Sequence, residues 1–495
     1  PVYHSTEFRP HTCRPSRPTI RRIWVVSKTR ELLRVMPAIT ASQISSRLKS
    51  QYGVDVDLMM LNRAIHEAKC SSGMIVSFGR LRAYLESLTA LNPGTTTRLL
   101  ETDGVFERAF MALGMCVDSF QHTTGVVGLD ACHIKASYGG VLLVMTVLDG
   151  NGQVYPAAIG LAESENTQTW FWFLSLVSVA FHIGDGGRGL VFLSDREKGI
   201  DAAVSSLFPN AAHSFCVYHI QKNLKVNFHT TLDGLLFEAA HAVNVDSFNE
   251  ALRKMKALHK AAYKYVKKIK AVRWARSAFP ARRFGHVTSN ISESMNWWLE
   301  DARRLDPVGL FSTYLMKLNA LFDTRRVEYG FIPPDSLPPN VDEIFQKSLE
   351  DSWNLRVIRH SVSVFQVQRL HDQFSMRVVN LVVPDCSCGF YKEHGIPCHH
   401  ICAAVNALKG DPQSYVIPER SLDALKETYK GVTIPVDVSY LTDDGMKGPI
   451  ETKRRGRPKQ KRIPSSAETS QRKTVKCGRC GQLGHNKRTC TIRIE

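Results

Sequence analysis

"GLDACHIKASYGGVLLVMTVLDGNG", residues 128–152, decides how this chain is read. Two apolar runs flank a small-residue turn, and the second run ends in Asp149-Gly-Asn-Gly, a strong hairpin signal. Asp130 stands inside the first run. A lone carboxylate in an apolar strand is costly to bury unless it is paired or holds a metal. Its surroundings alone therefore mark Asp130 as a candidate ligand.

Outward from that stretch, the pattern predicts three strands at 125–134, 140–149 and 153–162. "TQTWFWFLSLVSVAFHIG" (167–184) reads as a buried helix ended by glycine, and "GLVFLSD" (189–195) as a fourth strand closing on Asp195. Three antiparallel strands, a helix and a strand with an acid at its end follow the order of an RNase H-like core. That fold brings acids from its first and fourth strands together around divalent metal. Residues 222–285 read as a helical insertion, after which "TSNISESMNWWLEDARRL" (288–305) predicts a helix with Glu293 in its first turn. Locally, Asn290 with Glu293 three places on also reads as a capping box. Glu300 and Asp301 are the next acids on that helix.

The formal charge of +18 points to a polyanionic partner, with nucleic acid first among the candidates. A hydrophobic content of 43% can fill a sizeable core, while no apolar run reaches the length of a membrane span. Residues 253–283 carry Lys and Arg throughout and no acid. Leu258, Ala262, Tyr265, Ile269 and Val272 form an apolar stripe at helical spacing. Lys256, Lys260, Lys264 and Lys267 fall on another face, which reads as a phosphate-binding surface. Before the core, residues 1–35 read as basic and irregular. Residues 39–69 read as two short helices around "YGVDVD", resembling a helix-turn-helix DNA reader, and 79–120 as helical.

The cysteines crowd toward the C-terminus, which favours zinc over a disulfide framework. Cys386-x-Cys388 followed by Cys398-x-His400 supplies four soft ligands for a closed tetrahedral site, with His394 and His399 as alternatives by type. "CGRCGQLGHNKRTC" has zinc-knuckle spacing, with Cys477, Cys480, His485 and Cys490 as ligands. Between the two motifs, residues 451–475 read as a basic linker. Arg455 and Arg457 there resemble an AT-hook core for the minor groove, and the same cluster reads as a nuclear localisation signal.

"NPGT" (92–95), "LDACHIK" (129–135), "LDGNGQVYPAAIGLAESENTQTWFWFL" (148–174), "LSDREKGI" (193–200), "CVYHIQKNL" (216–224) and "NISESMN" (290–296) occur in order. Together they resemble the Mutator-like element (MULE) transposases, and the first zinc motif resembles the SWIM finger that follows their catalytic core. The resemblance implies a DDE triad of Asp130, Asp195 and Glu293, with Cys216 and His219 supporting the site. It implies two Mg²⁺ (or Mn²⁺) ions per active site, roughly 4 Å apart, serving in-line displacement at phosphorus, beside two structural Zn²⁺ sites.

The expected fold class is α/β. It comprises an RNase H-like catalytic core with a helical insertion, a small N-terminal helical domain and C-terminal zinc-binding modules. The expected domains are 1–78 (DNA-binding), 79–122 (helical lead-in), 123–330 (transposase core), 331–430 (with the SWIM finger at 386–400), 431–475 (linker) and 476–495 (knuckle). The expected function is a nuclear transposase. It would bind terminal inverted repeats in double-stranded DNA, cleave the element ends and join their 3′-hydroxyls to target DNA. A homodimer or higher oligomer and no membrane association are expected. The rival reading is a domesticated transposase acting as a DNA-binding transcription regulator.

Overall fold

The computed structural model describes residues 22–449, apart from 37, 38, 197, 230, 231, 289 and 371. Cys477, Cys480, His485, Cys490, Arg455 and Arg457 lie outside the described residues. No helix among the described residues is long and apolar enough to cross a membrane.

The chain opens with α1 (Arg22–Val35), α2 (Ala41–Tyr52) and α3 (Leu58–Leu91), which pack around Val25, Ile44, Leu48 and Leu61. Thr40 and Gln43 form a capping box at the start of α2, and Gly53 ends it in the left-handed region at φ 65°. Two expectations change here. Residues 22–35 are helical, not irregular. The second short helix is the start of a 34-residue one that runs through the boundary read at 78/79.

A larger correction follows. The segment read as continuously helical to 120 contains a hairpin, β1 (Thr96–Thr102) and β2 (Val105–Ala112), before the short α4 (Gly114–Phe120). Asp103 and Gly104 turn the hairpin, both at positive φ (52° and 72°), as the tight primed turns require.

The central strands lie close to where the sequence placed them: β3 (Val126–His133), β4 (Val141–Leu148) and β5 (Val154–Ala162), each antiparallel to the next. Every residue of β4 is buried, because both faces of this middle strand are covered. α5 (Thr167–Ala180) starts at Asn166, whose side chain accepts from the Thr169 N–H. It buries Trp170, Phe173, Leu174 and Val177 against the sheet. β6 (Val191–Ser194), α6 (Lys198–Leu207) and β7 (Ala212–Phe215) follow, with β6 parallel to both β3 and β7. The result is a mixed seven-stranded sheet in the order β1-β2-β5-β4-β3-β6-β7.

From β7 the chain leaves the sheet through α7 (Val217–Phe228), α8 (Asp233–His241), α9 (Val245–Leu258) and α10 (Lys260–Lys268). These helices share a core of Leu224, Leu236, Phe248, Met255, Val266 and Trp274. The insertion is helical as read, but its stripe is not one continuous face. His259 breaks the helix, leaving Leu258 and Val272 exposed while Ala262 and Ile269 are buried.

The chain returns through α11 (Asn290–Trp298), which packs on β3 and β4, and α12 (Pro307–Gly330). α13 (Pro339–Ser352) leads into a second sheet of β8 (Leu355–Arg359), β9 (Val364–Arg369), β10 (Asp372–Asn380) and β11 (Asp385–Cys386). α14 (Phe390–His394), α15 (His399–Ala407) and α16 (Leu422–Thr428) complete the helices. Residues 431–449, read as the start of a linker, are instead held on the core. Asn92 and the Ile434 backbone bond each other, Arg82 pairs with Asp444 at 2.9 Å, and the Phe106 N–H reaches the Lys447 carbonyl at 2.9 Å.

Candidate functional site

β3 and β6 run parallel with Gly128 opposite Leu193. Asp130 and Asp195 each stand two residues beyond that pair. The two-residue period of a strand therefore sets them level with each other at the same sheet end. Asp130 is half-buried, so the fully buried carboxylate that its apolar neighbours suggested does not exist there. Its Oδ1 accepts from the Ala131 N–H at 2.9 Å, and its Oδ2 from the Asn296 side-chain amide at 2.7 Å. The fully buried acid of the opening stretch is Asp149. It closes the β4–β5 turn by accepting from the N–H groups of Asn151 and Gln153, and it takes the Tyr429 hydroxyl at 2.6 Å.

Asn296 lies on α11, so the bond to Asp130 docks that helix on β3. Position 293 is one turn earlier on the same helical face. The Glu293 side chain itself lies outside the described residues. The next two acids, Glu300 and Asp301, are engaged elsewhere. Glu300 pairs with Lys135 and Arg304 at 2.5 and 2.7 Å, and these cations pull its carboxyl down to about 2. Asp301 pairs with Lys317 at 2.7 Å.

Cys216 caps α7 from a buried position, and His219 lies in the first turn of that helix. The Cys216 thiol raises the His219 imidazole above its usual value against the opposing effect of burial. The carboxylates of Asp195 and Asp130 raise it further. These four side chains therefore share one electrostatic neighbourhood. Cys132, next on β3, has its thiol pushed up to about 11 by burial.

Sequence reasoning missed the supports around Asp195. Buried Ser194 donates to the Asp195 carbonyl at 2.8 Å, and its hydroxyl lies 2.8 Å from His213 Nε2. Because the hydroxyl proton is used, Nε2 must donate, which leaves Nδ1 to accept from Arg273 at 2.9 Å. Burial lowers the His213 value, in keeping with this neutral ring. Arg273 also bonds Asp201 on α6. A second tie joins Arg196, the residue after Asp195, to the Tyr265 hydroxyl on α10 at 2.7 Å, with its guanidinium also over the Tyr265 ring. Lys256, Lys260, Lys264 and Lys267 are all exposed on α9 and α10, and Lys256 and Lys267 flank the Tyr263 ring.

The Cys/His motif converges as its spacing suggested. Cys386 ends β11, Cys398 caps α15, and His400 sits in the first turn of that helix. The ligand atoms of Cys386, Cys388, Cys398 and His400 lie within 4.8 Å of one another. Thiolates about 2.3 Å from one zinc ion stand at comparable mutual separations, so the donor set fits a closed tetrahedral zinc site. Hydrogen bonds from Cys386 and Cys398 hold the Cys388 thiol far below its usual value, while Cys386 is pushed up to about 12. His399 stacks on His400 outside this group, and His394 packs on Phe390.

The mixed sheet with level carboxylates, followed by a Cys/His cluster, defines an α/β protein with a carboxylate site and a C-terminal zinc-finger module. The MULE transposase domain matches residues 126–223, and the SWIM zinc finger matches residues 372–409. Protein FAR1-RELATED SEQUENCE 4 of Arabidopsis thaliana is 21% identical over 125 residues, 25% of this chain and 17% of that protein. The match thus spans about a sixth of that relative. Over these residues the chain is similar to proteins of Mutator-like transposase type.

Proposed function

We propose that the chain is a DNA transposase. It binds the terminal inverted repeats of an element, cuts at the ends and joins the 3′-hydroxyls to target DNA. One observation carries this reading: Asp130 and Asp195 stand level on adjacent parallel strands, and the helix bearing Glu293 is docked on Asp130 through Asn296. The order β5-β4-β3-β6-β7, antiparallel then parallel, supports an RNase H-like core within the larger sheet. Hard carboxylate oxygens suit Mg²⁺ or Mn²⁺, which would supply activation of the attacking hydroxyl and neutralisation of charge at phosphorus.

In this reading Asp130, Asp195 and Glu293 hold the ions. Asn296 orients Asp130, and Ser194 fixes the peptide that follows Asp195. Cys216 and His219 shape the side of the site toward α7. The exposed lysines of α9 and α10 track the DNA backbone. The zinc finger at 386–400 stabilises the second sheet. A second zinc at Cys477, Cys480, His485 and Cys490, minor-groove contacts by Arg455 and Arg457, nuclear location and assembly as a homodimer or larger complete the proposal.

The test uses the full chain with duplexes carrying candidate element ends, in Mg²⁺ and in Ca²⁺. Asp130→Asn, Asp195→Asn and Glu293→Gln should each lower cleavage roughly a thousandfold or more while leaving end binding intact. Glu293→Gln discriminates, because a capping box accepts either residue. A Glu293→Gln protein that cuts at the wild-type rate removes Glu293 from the site. A wild-type chain that binds ends without cutting them favours the domesticated DNA-binding regulator.

A further inference from the structure

On the other side of α11 lies a cleft of about 730 Å³, lined in part by Gly152, Gln153, His241, His286, Thr288 and Arg325. Ser294 and Met295 also line it. They are the two residues after Glu293, turned about 100° and 200° from it around the helix, whereas Asn296 faces Asp130. The cleft is therefore separate from the carboxylate site.

Its surroundings are cationic beyond what their acids offset. Arg420 is 4% exposed, and its Nε and Nη1 have no hydrogen-bond partner among the described residues. Its Nη2 lies 3.6 Å from where a Cβ on Gly152 would stand, so this guanidinium, which also lies over the Phe284 ring, packs directly behind a residue of the cleft wall. Arg325 reaches the cleft from α12 after bonding Tyr429 and the Val154 carbonyl. Arg283, fully buried behind, also leaves Nε and Nη2 without a partner among the described residues. Arg276 is close as well, and Asp149 and Glu393 offset these four arginines in part. Two histidines on the wall add donors and acceptors without charge: burial, with Arg420 nearby, takes His286 down to about 4, and burial lowers His241. A buried guanidinium left without an acceptor costs stability, and a bound oxyanion repays that cost.

We propose that this cleft is a binding site for a phosphate group, held by Arg325 and by the field of Arg420 between His241, His286 and Thr288. The volume exceeds that of inorganic phosphate and suits a phosphate ester. A strand-end phosphate of DNA and a free mononucleotide share this chemistry. The inference does not rest on the transposase reading, since it requires neither carboxylate nor divalent metal.

The experiment measures thermal stabilisation and ³¹P line broadening of the full chain at constant ionic strength without Mg²⁺. The probes are inorganic phosphate, a nucleoside monophosphate and a 5′-phosphorylated dinucleotide, each against chloride. Saturable binding is expected. It should weaken about tenfold or more in Thr288→Glu and in His241→Glu, which put a carboxylate in the cleft, and persist in Asp130→Asn. Tighter binding of the dinucleotide than of the mononucleotide identifies the strand end as the source, and the reverse order identifies a small ligand. Should Thr288→Glu fail to fold, the exposed His241→Glu carries the test alone. Stabilisation equal to that in chloride, or binding unaffected by both substitutions, overturns the proposal.

Discussion

Replacing Asn296 separates holding the carboxylate site in shape from holding the fold together. The Asn296 amide donates to Asp130 Oδ2 at 2.7 Å, and its own Oδ1 is buried with no partner among the described residues. Asn296→Leu keeps the branching and the number of heavy atoms and deletes both groups. Loss of the donor costs about 1.5–3 kcal/mol for a charged acceptor. The half-exposed Asp130 recovers part of that from water, and removing the orphaned oxygen returns about 1–3 kcal/mol. The two terms nearly cancel, so the denaturant midpoint of the metal-free protein should move by less than about 1 kcal/mol. The carboxylate, however, loses the group that fixes its rotamer. Partners of this kind are worth about 10- to 100-fold in metal affinity. A Mn²⁺ titration of cleavage should therefore shift to about 10- to 100-fold higher metal, with activity recovered at saturation. Unchanged metal dependence in a folded Asn296→Leu protein would refute the reasoning, because Asn296 would then be only a helix-docking residue.

Neutralising Lys256, Lys260, Lys264 and Lys267 should weaken DNA binding on all sequences. The slope of log K against log salt should fall by about 2–4, at about 0.9 per phosphate contact. An unchanged slope would make the basic face of α9 and α10 a solvated surface only. Tyr429→Phe removes the hydroxyl that donates to buried Asp149 and accepts from Arg325, and should lower stability by about 2–4 kcal/mol in urea melts. Burial raises the Asp149 carboxyl, so its contribution to stability is fully present below the unfolded carboxyl range and fades as pH rises through the folded value; Asp149→Asn should flatten that limb above the unfolded carboxyl range. Chelation should release two zinc ions per chain and remove hydrogen-exchange protection from β10 through α15 while β3 to β6 stay protected. Metal analysis finding a single zinc would exclude the second site.

Near-continuous apolar runs and the Asp149–Gly152 turn made β3, β4 and β5 legible, since both signals are local. The β1–β2 hairpin was not, although Asp103-Gly104 is a turn signal. Leu99, Leu100, Glu101, Glu107 and Arg108 are strong helix formers, and pairing of β2 with β5 overrides that preference. The length of α3 was hidden for the opposite reason: Ser71, Ser72 and Gly73 are weak helix formers inside an unbroken helix. Asp130, Asp195 and the Cys/His cluster were legible as residue types at recognisable places. Their supports were not, because Asn296 meets Asp130 across 166 positions and Arg273 meets His213 across 60. No local pattern encodes such pairs.

Those long-range supports also explain why a basic insertion belongs beside this sheet. Charge on a helix helps chemistry only if the polyanion it attracts is delivered to the reacting groups. Two contacts tie the insertion to the strand end that carries Asp195. Tyr265 of α10 holds Arg196, one residue past the carboxylate. Arg273, just beyond α10, bonds Asp201 and His213, and His213 bonds Ser194, one residue before it. Asp195 is thus bracketed by residues that answer to the insertion, and on one side the buried or half-buried Asp201, Arg273, His213 and Ser194 form a continuous donor–acceptor chain. Such a chain resists deformation more than isolated surface pairs do, because each member loses a partner if any one moves. The lysines of α9 and α10 are thereby held at a defined place relative to the Asp130–Asp195 pair, which a flexible basic tail of equal charge could not provide.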